Sequence, residues 1–230
     1  MKTRWMAGLL AVAIATPALA VDGVVEINQA RAMAGGITPT DGPGFPITLG
    51  ESGSYRLTGD LTVAAGVQGI YIEADNVTLD LNGFTVTGGG GAIADGIGIL
   101  AVKNVEIRNG TVRGFSRYGV FGGLFVTFAR VIGVRATANG NSGIEIQGQG
   151  QLVDGCTAFA NGSSGIRVGD GSLITNSVAR GNSSFGLSMG LNSGYRSNVL
   201  TGNNGGDANP QASNGQQLGT NVCGSDLVCP

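Results

Sequence analysis

The residues of this chain best suited to chemistry are Glu145 and Arg167, with Asp170 three positions further on. Gly143-Ile144-Glu145-Ile146 and Gly165-Ile166-Arg167-Val168 are the same phrase written twice, so the carboxylate and the guanidinium fill one slot of successive units. In a cleft that shifted their protonation, Glu145, Arg167 and Asp170 could form an acid–base set. On an open strand face, Glu145 and Arg167 would instead make a cross-strand ion pair about 5 Å across, contributing under about 1 kcal/mol. The ion pair is the favoured reading, and no residue is assigned as catalytic. Glu106 and Arg130 read as a second such pair. Lys103, the one lysine after Lys2, stands near Glu106 and Arg108 and is a weaker candidate base.

A second chemistry is open to the aromatics. Tyr71 and Phe121 share the slot of Glu145 and Arg167, with Gly98 between them. Two units of a stacked structure would separate them by about 10 Å, a spacing that suits successive sugar rings. Tyr71 and Phe121 are therefore the candidate ligand-binding residues. Phe115, Phe125 and Phe128 are expected to cover the core beneath a longer loop.

What is missing narrows the field. The chain has no His, which removes imidazole acid–base chemistry, His-based triads and His-metal sites. No run of carboxylates offers the several oxygens a Ca²⁺ site takes. Neither metal nor cofactor is expected. The first twenty residues read as a signal peptide. Lys2 and Arg4 precede an apolar stretch from Met6 to Thr16, and Ala18-Leu19-Ala20 puts cleavage between Ala20 and Val21. The destination is secretion or the periplasm. Without Lys2 and Arg4, 11 basic residues face 15 acidic ones, a net charge of −4 and no footprint for nucleic acid. No later segment is long and apolar enough to span a bilayer. Of the three cysteines, Cys223 and Cys229 are expected to close a short disulfide worth about 2 kcal/mol, and Cys156 to be a buried apolar residue.

The elements that position these groups follow from the repeat. Gly69-Ile70-Tyr71-Ile72, Gly96-Ile97-Gly98-Ile99, Gly119-Val120-Phe121-Gly122, the two phrases above and Gly186-Leu187-Ser188-Met189 recur about every 22 residues, the period of a stacked solenoid. Aliphatics alternate with polar residues in Val77-Thr78-Leu79-Asp80-Leu81, as in a strand with one buried face. Ile70, Ile97, Val120, Ile144, Ile166 and Leu187 should form one inward column. Val131, Val153 and Ile174 should form a second, and Val134, Cys156 and Ser177 a third. Gly, Asn and Ser clusters mark the corners, with Asn139, Asn161, Asn182 and Asn204 expected to stack at one of them. Residues 21–53 are expected to cap the first coil, with a short helix from Glu26 to Met33 stopped by Gly35-Gly36. The coils are expected over 54–204, and 205–230 as a C-terminal loop and cap.

Val77-Thr78-Leu79-Asp80-Leu81-Asn82-Gly83 and Asn104-Val105-Glu106-Ile107-Arg108-Asn109-Gly110 resemble the Asn-Gly coils of right-handed parallel β-helix proteins of the pectate-lyase-like superfamily, bacterial secreted and periplasmic members included. The resemblance covers residues 54–204 and implies an all-β, single-stranded right-handed coil with polysaccharide as partner. Catalytic families of that superfamily gather Asp clusters, with His or basic residues beside them, which this chain lacks. The expectation is a non-catalytic surface or carbohydrate-interacting module, with a polysaccharide lyase or related polysaccharide-processing enzyme as the alternative.

Overall fold

The computed structural model describes residues 23–226 and residue 229. The signal segment and its Ala20–Val21 junction lie outside the described residues. The strands stack in parallel. One sheet has eight strands, one per coil: Ile47–Leu49, Ile70–Ile72, Ile97–Ile99, Val120–Gly122, Ile144–Ile146, Ile166–Val168, Leu187–Met189 and Ala212–Ser213. The other has fifteen strands in two ladders. These ladders fuse through the eight-residue strands Glu106–Arg113 and Arg130–Thr137, so three ladders surround one core.

Side-chain alternation explains the register. Ile70, Ile97, Val120, Ile144, Ile166 and Leu187 are directly paired from coil to coil. All six are fully buried. Burying each aliphatic contributes about 1.5–3 kcal/mol, and slipping any strand by one residue would turn its whole apolar set outward. Val131, Val153 and Ile174 are likewise aligned and buried. Ser177 is tolerated in the core because its hydroxyl donates to the Thr175 carbonyl and accepts from the Cys156 N–H.

The stacked amides depart from the expected set in one member. Asn139 Nδ2 donates to Asn161 Oδ1 at 3.1 Å, Asn161 to Asn182 at 2.9 Å, and Asn182 to Asn203 at 2.8 Å. Gln211 Oε1 closes the ladder by accepting from Asn203 Nδ2 at 3.0 Å. Asn203 thus holds the place expected of Asn204. The left-handed turn belongs to the residue before each ladder position, Ala138, Ala160, Gly181 and Gly202, which frees the Asn side chain to point into the corner. Asn204 is itself left-handed and carries the chain out of the ladder.

Strand pairing starts at Val24 and reaches Cys223, so the coils extend beyond 54–204 on both sides. The helix occupies Gln29–Ala34, shorter than Glu26 to Met33, because Val24–Ile27 pairs as a strand with Gly53–Leu57. Asn28 caps the helix by accepting from the Arg31 N–H. Polar side chains close the first coil. Gln29 bonds both the N–H and the C=O of Thr62, and Asp41 and Thr38 do the same for Thr48. These bonds occupy backbone groups that an open edge would offer to another chain. At the far end, Ala212–Ser213, Gln216–Gln217 and Val222–Cys223 add a last coil out of the segment expected as loop and cap, and Cys223 is disulfide-bonded to Cys229. Among the described residues no helix is long and apolar enough to cross a membrane.

Candidate functional site

The outward face of the eight-stranded sheet carries one residue per coil. Thr48, Tyr71, Gly98, Phe121, Glu145, Arg167, Ser188 and Ser213 stand in register. Tyr71 reaches across the coil that follows it: a Cβ on Gly98 would lie 2.8 Å from the Tyr71 ring carbons Cδ1 and Cε1. The ring therefore extends toward Phe121 over a position kept bare. Phe121 stacks on Tyr118, with centroids 4.7 Å apart and planes 20° from parallel. The Arg117 guanidinium lies over both rings, 4.9 Å from the Tyr118 centroid and 5.4 Å from that of Phe121. A cation so placed gains about 0.5–1 kcal/mol at an exposed site.

Asp95 anchors this cluster. Its Oδ1 lies 3.4 Å from Arg117 Nε and accepts from the Tyr118 N–H at 3.2 Å. Burial pushes its carboxyl above the ordinary value of 3.8; the Tyr118 N–H and Arg117 oppose the shift, and Glu145 adds to it. Burial also raises Tyr118 and Tyr71, reinforced by Glu145 and by Asp95 respectively. Both phenols are thus protonated near neutrality.

Glu145 stands in the expected column but is not exposed. Its side chain is 2% accessible, against 54% for Arg167. The reason is local: Ser142 Oγ donates to Oε2 at 2.9 Å, and Gln147 Nε2 donates to Oε1 at 2.8 Å, both from flanking residues. Arg167 Nη1 completes the shell at 3.5 Å. The expected open ion pair is a covered carboxylate under a half-exposed guanidinium. Beyond Arg167 lies a groove of about 330 Å³ lined by Gln147, Asp170, Ser188, Asn214 and the apolar Leu124 and Met189. Asp170 faces it while its Oδ1 accepts from the Leu191 N–H. Arg167 thus borders both Glu145 and the groove.

The core cover expected of three phenylalanines is reduced to one. Phe115 is core, but Phe125 and Phe128 are 80% and 60% exposed. Val126 takes the inward position of their loop and leaves them outside. Lys103 pairs with Asp75, while Glu106 is taken by Arg108 and Arg130. Cys156 is buried with its thiol pushed up to about 12, chiefly by desolvation. Among the described residues no group of three or more His, Cys, Asp or Glu could hold a metal ion.

Sequence reasoning passed over Asp95 and Arg117 and gave Tyr118 no role in the site. The signal was present: Gln68, Asp95, Tyr118 and Ser142 each precede the recurring Gly. That position reads as a turn, but the coil aims it at the outward column, where Ser142 meets Glu145 and Tyr118 meets Phe121.

No protein-family model and no curated protein matches the sequence. Solved structures do match. The mannuronan C-5 epimerase AlgE4 A-module of Azotobacter vinelandii is 15% identical with a TM-score of 0.58, over 76% of this chain and 62% of that one. Pectate lyase Pel9A is 18% identical with a TM-score of 0.56, over 78% and 53%. The periplasmic alginate epimerase AlgG is 16% identical with a TM-score of 0.51, over 73% and 47%. The chain spans about half to three-fifths of the length of these structures. Likeness at such identity concerns architecture, and the architecture of this chain is the right-handed parallel β-helix that those proteins share.

Proposed function

We propose that this is a secreted or periplasmic β-helix protein that binds polysaccharide on the outward face of its eight-stranded sheet. The observation that carries the reading is the cluster of Tyr71, Tyr118 and Phe121 with Arg117 laid over two of the rings. Aromatic faces suit the apolar faces of sugars, and guanidinium and phenol donors suit their oxygens. The groove beyond Arg167 extends the same face with further polar groups beside Leu124 and Met189. The fold is shared with proteins whose names give alginate, mannuronan or pectate as what they act on. The Cys223–Cys229 disulfide fits an oxidising compartment. Affinity gels containing pectate, alginate or a neutral glucan test the reading. Retardation on at least one polysaccharide, lost in Tyr71→Ala with Phe121→Ala, is expected; no retardation on any of them refutes it.

A polysaccharide-processing enzyme is the second reading, and Asp95 favours it. A carboxyl raised by burial and paired with an arginine is a group able to hold and deliver a proton. Incubation with alginate and pectate in D₂O reports both outcomes: deuterium entering the sugar ring marks epimerisation, and unsaturated ends mark elimination. Neither signal, from protein that binds the polymer, leaves a binding protein.

A further inference from the structure

A second aromatic position stands apart from this cluster, at the corner where each coil leaves the eight-stranded sheet. The isolated bridges Lys103↔Thr127 and Thr127↔Gln149 align Asn104, Phe128 and Gly150 there. Asn104 and Gly150 have φ of 55° and 70°, and Phe128 between them has φ 56°. Asn and Gly suit that left-handed region, whereas a bulky side chain in it is a genuine outlier held by its surroundings. The strained residue is also 60% exposed, so packing alone does not account for it.

The ring is nonetheless held in place. A Cβ on Gly150 would lie 2.8 Å from Phe128 Cδ1 and 2.9 Å from Cε1, so the ring reaches over a bare backbone position on the next coil. Tyr71 does the same over Gly98 in the outward cluster. The Phe128 loop also carries the exposed Phe125 and Leu124, and Leu124 forms the wall of the groove that holds Arg167, Asp170 and Ser188. An ordered apolar ring therefore stands on the loop that walls a polar groove, a pairing that matches the apolar face and hydroxylated rim of a pyranose.

We infer that Phe128 is a docking platform for a sugar ring, at which a polysaccharide lying in the Arg167 groove continues around the corner of the coil. The inference rests on the polysaccharide reading but uses residues outside the Tyr71–Phe121 cluster. The test is Phe128→Asn, since Asn104 occupies the same corner position one coil earlier. Affinity gels and thermal melts are run on the wild type, on this variant, and on Tyr71→Ala with Phe121→Ala. The expected result is roughly five- to tenfold weaker polysaccharide binding by Phe128→Asn, as for loss of an anchoring ring, with the melting temperature held or raised as the strained residue gives way to Asn. Unchanged binding overturns the inference while leaving the polysaccharide reading intact, and a lowered melting temperature with unchanged binding makes Phe128 structural. Loss of binding in Phe128→Asn but not in the Tyr71, Phe121 variant upholds the platform and moves the site away from the sheet face. A wild type that binds no polysaccharide ends both. Sedimentation completes the set: a dimer dissolved by Phe128→Asn, with no effect on polysaccharide, assigns the ring to self-association instead.

Discussion

Glu145 and Arg167 face each other across adjacent coils, 3.5 Å apart, with the carboxylate covered and the guanidinium half in solvent. The pair is therefore asymmetric. Removing the acid takes away the acceptor of three donors, Ser142, Gln147 and Arg167. Glu145→Ala is expected to cost about 1–3 kcal/mol, the range for unsatisfied buried polar groups. Arg167→Ala leaves two of the three donors in place and is expected to cost under about 1 kcal/mol. Urea unfolding of the two variants checks the order; equal losses would make the covered carboxylate energetically ordinary.

The amide ladder makes a sharper contrast. Asn161 accepts from both the backbone and the side chain of Asn139, and donates to Asn182 and to the Ala136 carbonyl. Asn161→Ala leaves several buried groups unpaired and is expected to cost about 3 kcal/mol or more. Asn204→Gly keeps the left-handed turn without entering the ladder, and is expected to change stability by about 0.5 kcal/mol or less. Chemical denaturation distinguishes the two, and a large loss at Asn204 would contradict the ladder as described.

Asp95 gives a pH dependence of unusual sign. A carboxyl whose folded value is raised holds its proton more tightly in the fold than in the unfolded chain. In the range just above 3.8 the native state then binds the more protons, and stability falls as pH rises through that range. Above the raised value the loss is complete and constant. Asp95→Asn removes this contribution. The stability of the wild type relative to the variant is expected to decline from pH 4 upward and then level off, as read from urea melts across the acid range. A difference that grows with pH would mean that the Arg117 pairing outweighs burial.

The cysteines predict a two-step labelling pattern. Reduction of Cys223–Cys229 is expected to lower stability by about 2 kcal/mol, since the closed loop is short. Cys229, only partly buried, should then alkylate in the folded protein, whereas Cys223, buried in the last coil, should react more slowly. Cys156, buried and with its thiol pushed up to about 12, should react only on unfolding. Mass spectrometry of alkylated protein with and without denaturant provides the check, and labelling of Cys156 in the native state would show that its coil opens.

By itself the sequence determined the coil. A Gly-aliphatic phrase at constant spacing, strands of period two and Asn-rich corners admit one low-energy arrangement, parallel stacking that hides one face of every strand. Ile144 and Ile166 sit in register as the phrases require. The face on which Tyr71, Phe121, Glu145 and Arg167 line up was legible for the same reason, because register follows from the period. What lies around that line was decided only in three dimensions. Whether Glu145 is open or covered depends on Ser142 and Gln147 turning toward it, and Asp95 joins Arg117 and Tyr118 only because consecutive corners stack. Gly205–Gln217 reads as loop, yet Gln211 closes the amide ladder and Ala212–Ser213 adds the last strand of the eight-stranded sheet. Periodicity specifies which backbone positions are neighbours; the contacts between side chains that leave those positions at different angles are set by packing, which no one-dimensional pattern records.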